Sequence, residues 1–108
     1  MKALVLSRFS LGELYSKLKK AGIKKFVDYY RINPSWKDTE DVINVMKKQK
    51  CNTIVTVCNF YLALKVMSEL ALKQAFVVIP KRTFGAEILK ADIYIIESEK
   101  VKLTVYES

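Results

Sequence analysis

At 108 residues the chain has the length of one domain and enough of it to enclose a real core. About half the residues are apolar (51%) and 28% are charged, which excludes a disordered chain, and no apolar run approaches the ~20 residues a membrane-spanning helix needs. The formal charge is +8 and histidine is absent, so Ser-His-Asp and Cys-His nucleophilic machinery is excluded and anionic partners come to the fore.

The start, Met1-Lys2-Ala3-Leu4-Val5-Leu6, has neither the apolar length nor the small-residue cleavage site of a signal peptide. It reads as a first, buried strand, and the expectation is a cytoplasmic protein with no membrane partner. Ser10-Leu11-Gly12-Glu13 matches a capping box, serine as N-cap and glutamate three residues on. Leu11, Leu14, Leu18 and Ala21 then recur at helical spacing, and Gly22 is a natural stop. The aromatic and β-branched run from Ile23 to Ile32 favours a strand closed by Asn33-Pro34.

Asp38-Thr39-Glu40-Asp41 places acidic groups where a helix begins, with Lys47, Lys48 and Lys50 at its end. Thr53 to Val57 is a core-type strand. Asn59 is expected to cap a following helix whose Leu62, Leu64, Val66, Met67, Leu70 and Leu72 are apolar almost all round, which predicts deep cover. Ala75 to Ile79 reads as a strand closed by Pro80, with Ala86 to Lys90 as one or two helical turns. Asp92 to Glu97 and Val101 to Glu107, joined by Ser98-Glu99-Lys100, read as a hairpin.

Strands alternating with helices predict an α/β domain spanning 1–108. The expected architecture is a three-layer, mostly parallel sheet of about five to six strands finished by an antiparallel hairpin. It resembles the broad Rossmann-like group, a resemblance that constrains the fold and hardly the function.

In such sheets ligands collect at the carboxyl ends of the strands, near the point where strand order reverses. Three loops should meet there: Ser7-Arg8-Phe9-Ser10, Cys58-Asn59-Phe60 and Pro80-Lys81-Arg82-Thr83. Ser7, Arg8, Ser10, Asn59, Lys81, Arg82 and Thr83 are therefore the candidate anion-binding residues, with two loops leading into helix N-termini. The competing reading is that Ser10 and Asn59 only cap helices and the cations are solvated. Glycine-rich dinucleotide and nucleoside-triphosphate loops are absent from the sequence.

A second constellation interleaves basic and aromatic residues, as single-stranded nucleic acid requires: Lys24, Lys25, Tyr29, Arg31, Trp36 and Lys37. Alternation along a strand would turn half of such rings into the core. Residues 1–58 carry 12 of the 19 basic side chains and 5 of the 11 acidic ones. Such asymmetry suits a nucleic-acid binder; general surface lysine in a heat-adapted organism gives the same count.

Two cysteines, Cys51 and Cys58, are too few for a zinc site or a disulfide framework, and are expected as reduced, mostly buried thiols. Cys58, at a strand's end before a helix, is the candidate reactive thiol, although no arginine closes a phosphate loop after it. The carboxylates are scattered; Glu97 alone is placed by this reading near Arg8 and Arg82. No metal and no cofactor are expected.

The leading expectation is a non-enzymatic module binding a phosphate-bearing partner, nucleic acid foremost, with weak sequence specificity. The alternatives are an enzyme or sensor for a free nucleotide or small anion on the same three loops, and an interaction protein pairing as a homodimer through Val101 to Glu107.

Overall fold

A computed structural model describes residues 1–28 and 39–98, and the backbone of residues 102–106. One six-stranded sheet runs through the molecule. Its elements in chain order are β1 (Lys2–Leu6), α1 (Leu14–Lys20), β2 (Lys25–Asp28), α2 (Thr39–Gln49), β3 (Thr53–Val57), α3 (Phe60–Leu70), β4 (Gln74–Phe84), β5 (Glu87–Glu97) and β6 (Lys102–Tyr106). The strand order is β2-β1-β3-β4-β5-β6. The first four positions are parallel; β5 runs antiparallel to β4, and β6 antiparallel to β5. This is the expected α/β sheet with its C-terminal hairpin. Strand order reverses at β1, which has β2 on one side and β3 on the other.

Near-continuous apolar strands are what a sheet covered on both faces requires. Ala3, Val5, Val55, Phe76 and Val78 face α1, where Leu14 and Leu18 join them. Their alternates Leu4, Leu6, Ile54 and Val77 face α2 and α3, against Val42, Met46, Leu62 and Val66. The cover over α3 is thinner than its sequence suggests, since Tyr61 and Leu64 on its outer face stay exposed. Among the described residues, no helix is long and apolar enough to cross a membrane.

Three local expectations are corrected. The capping box at Ser10 does not form: α1 begins at Leu14 with Glu13 before it and no side-chain cap. Gly12 has φ +53, a left-handed turn inside the box, and a Cβ there would stand 2.8 Å from Glu87 Oε1. Ser10 instead extends alongside β5, its N–H donating to Ala86 O at 2.7 Å and its carbonyl accepting from Ile88 N at 3.0 Å.

Pro80 does not end β4, and residues 86–90 are strand rather than helix. The pairing of β3 with β4 stops at Val78, so from Ile79 onward β4 and β5 form a two-stranded ribbon. Proline lacks an N–H and is tolerated where one side of a strand is open. The ribbon closes through Gly85, at φ +58, between the paired residues Phe84 and Glu87.

The third correction concerns Glu97. Because β5 runs antiparallel to β4, Glu97 pairs with Gln74 at the edge where the parallel strands begin, away from Arg8 and Arg82. Of the run from Ile23 to Ile32, residues 25–28 form β2; residues 29–32 lie outside the described residues. The self-pairing segment from Val101 to Glu107 is described only as the backbone of β6, which stands at the sheet edge.

Candidate functional site

At the carboxyl edge, two of the three expected loops meet. A cleft of about 300 Å³ lies between the ends of β1 and β3, lined by Leu6, Ser7, Arg8 and Phe9 on one side and Val57, Cys58 and Asn59 on the other. This is where the strand order reverses. Most of the polar groups in it already have partners. Ser7 is buried; its hydroxyl donates to Phe9 O at 2.7 Å and accepts from Phe9 N at 3.0 Å. Asn59 caps α3, Oδ1 accepting from Leu62 N at 3.0 Å, and its carbonyl accepts from Thr56 Oγ1 at 3.0 Å. The Cys58 N–H donates to Val78 O at 2.9 Å. The exposed guanidinium of Arg8 and the N-terminus of α3 are what the cleft can offer an anion.

Cys58 is exposed, against the expectation of burial, and holds φ +58 at the strand-to-helix junction. Cys51 is buried. Both are free thiols, as expected.

The third loop does not join this cleft. Lys81, Arg82 and Thr83 lie on the β4–β5 ribbon. The Lys81 ammonium sits 2.9 Å from Asp92 Oδ1, an ion pair whose angles fall outside hydrogen-bond geometry. Arg82 is opposite Lys90 and Thr83 opposite Ile88. Ser10 is fixed to the same ribbon by its backbone.

Of the second constellation, Lys24 and Lys25 are described and exposed; Tyr29, Arg31, Trp36 and Lys37 lie outside the described residues. Phe26, between them in sequence, is no stacking platform. It is half-buried, with its ring 4.9 Å from that of Tyr15 at 76°. The Tyr15 hydroxyl in turn donates to Asp28 Oδ1 at 2.6 Å.

Sequence reasoning did not foresee where the positive charge gathers. In a parallel sheet each helix returns against its strand, so helix ends and strand starts share the amino edge. Lys19 and Lys20 close α1, Lys47 and Lys48 close α2, and Lys50 follows directly. Lys24 and Lys25 open β2, Lys2 opens β1, and Lys73 precedes β4. Backbone bonds knit this edge: Met1 O accepts from Lys24 N at 2.7 Å, and Lys2 O accepts from Asn52 N at 2.9 Å. Against these nine lysines the edge holds, among the described residues, two carboxylates, Glu69 and Glu97.

The opposite edge with its ribbon has Arg8, Lys81, Arg82 and Lys90 among the described residues. It also has six carboxylates: Glu13, Asp28, Glu40, Asp41, Glu87 and Asp92. The lysine pairs at the ends of α1 and α2 and at the start of β2 were the available signal. It becomes a surface only once the βα order is applied to it.

No family model matches the chain, and no curated protein matches it. Among solved structures, a variant of HypX from Aquifex aeolicus is similar over 100% of this chain and 22% of that one, at 11% identity and a TM-score of 0.48. The chain thus spans under a quarter of that protein's length, and the likeness carries no argument about function.

Proposed function

We propose that the chain is a non-enzymatic module binding a phosphate-bearing polymer, nucleic acid, along the amino edge of a Rossmann-like sheet. The observation that carries this reading is the division of charge between the two edges. Helix-dipole complementarity accounts for lysines in the last turns of α1 and α2. It does not account for Lys2, Lys24, Lys25 or Lys73, which lie on strands or loops and meet the same edge. A row of ammonium groups from several elements is suited to a line of phosphates, which supply affinity without sequence information.

The test is a salt titration of binding to labelled DNA and RNA. Neutralising four to six phosphates gives a slope of log K against log salt of about −4 to −5 on duplex DNA. A flat response between low and moderate ionic strength sinks the reading.

A second reading is supported by the cleft between β1 and β3: a free nucleotide or other small anion held by Arg8 and the start of α3. It predicts a rise in melting temperature with one small phosphate compound, abolished by Arg8→Ala and indifferent to Lys24 and Lys25.

A further inference from the structure

The amino edge is indented. A cleft of about 440 Å³ opens between the closing turns of α2 and α3 and the start of the sheet, within the roughly 300–1,000 Å³ range of small-ligand sites. Its apolar lining comes from Leu70, Ala71 and Leu72 with Cys51, and its rim from Met1, Lys47 and Lys73. Burial pushes the Cys51 thiol up from its ordinary value, the Lys2 ammonium partly opposing it, so the lining stays uncharged at neutral pH.

Two features decide what belongs inside. The Ala71 and Leu72 N–H groups are bonded to the Ser68 and Met67 carbonyls, so this turn presents the negative end of the α3 dipole. A phosphate is disfavoured there and favoured at the rim. Asn52 also lines the cleft, and its Oδ1 accepts from Lys2 N at 2.9 Å. That bond fixes the amide and leaves its NH₂ as the group to offer a ligand. The matching ligand is neutral and largely apolar at one end, with acceptors on its edge, and anionic at the other.

We propose that this cleft receives one unstacked base of a single-stranded nucleic acid while Lys47 and Lys73 hold the flanking phosphates. The proposal rests on the polyanion reading above and narrows it from any phosphate polymer to one whose bases are free. Duplex, with its bases paired and stacked, reaches the lysines but not the cleft.

The test uses the unaltered protein and three labelled probes of equal charge: a single strand, an abasic strand of the same length, and a duplex segment, in DNA and RNA forms. Burial of one base against the aliphatic lining is expected to make the base-bearing strand bind about tenfold tighter than the abasic one. Ala71→Leu, which fills the cleft, should bring the base-bearing strand down to the abasic level and leave duplex binding unchanged. Equal affinity for base-bearing and abasic strands overturns the base pocket and leaves the polyanion surface standing. Absence of salt-sensitive binding to all three overturns both. The abasic comparison decides even if Ala71→Leu fails to fold.

Discussion

The carboxyl edge and the amino edge of this sheet use their polar groups in different ways. At the carboxyl edge the fold occupies them: Ser7 closes its own turn, Asn59 caps α3, Cys58 N–H reaches across to β4, and Lys81 is held by Asp92. At the amino edge the lysines, all exposed but the half-buried Lys2, outnumber the carboxylates by nine to two among the described residues. The rule that α/β ligands sit at the carboxyl edge draws its force from helix N-termini and the loops before them. Here α1 starts only at Leu14, beyond a segment bound to β5, so one such N-terminus is left beside the cleft. The lesson is that a fold's customary site and a chain's own electrostatics can point to opposite ends of one sheet.

That contrast can be broken most directly by moving charge. Reversing Lys24, Lys25 and Lys48 to glutamate should weaken polymer binding by about a hundredfold or more at low salt, read by fluorescence anisotropy. Arg8→Gln with Arg82→Gln should change it by about twofold at most. The opposite ranking would return the function to the carboxyl edge. The two thiols sharpen the comparison next. Cys58 is exposed, whereas Cys51 is buried with its pKa raised and stays protonated where an ordinary thiol begins to ionise. At pH 8, iodoacetamide should therefore modify Cys58 at least about tenfold faster than Cys51, followed by peptide mass spectrometry. Equal rates would mean that the amino-edge cleft opens.

Smaller effects concern stability. Asn59→Ala removes the α3 cap and should cost about 1 kcal/mol in urea unfolding while leaving polymer affinity unchanged. A loss of affinity as large as that of the lysine variants would give the carboxyl edge a part in binding. Ala71→Gly relieves a left-handed residue at φ +51 and should stabilise by of order 0.5–1 kcal/mol, read the same way.

Much of the fold was legible because periodicity and punctuation agreed. The apolar run of β3, the asparagine cap of α3 and the paired runs of β5 and β6 each carry a local signal that tertiary structure did not override. The failures have particular causes. At Ser10 a capping motif contained a left-handed glycine, and a strand of the distant ribbon offered the backbone better partners. At Pro80 the sequence shows a strand breaker, and it is harmless because the pairing of β4 with β3 ends at Val78. Glu97 was misplaced because its edge depends on whether β5 runs parallel or antiparallel to β4. The switch-point cleft followed from Arg8 and Asn59 by the sheet rule, whereas the lysine edge needed the three-dimensional order of five separate segments.

Among the described residues the division of charge makes an electric dipole, with its positive pole at the strand starts and its negative pole at their ends. The molecule's extents are 33 × 31 × 23 Å, against a screening distance of about 8 Å at physiological ionic strength and about 30 Å at 0.01 M. At physiological ionic strength the poles are electrically insulated from each other, and a nearby polyanion pulls on one without feeling the other. In dilute buffer both poles fall within the same field, so the protein experiences a torque that turns its lysines forward before contact. Association should then be faster and already oriented, and the carboxylate pole would face outward, repelling a second strand from the back of a bound molecule.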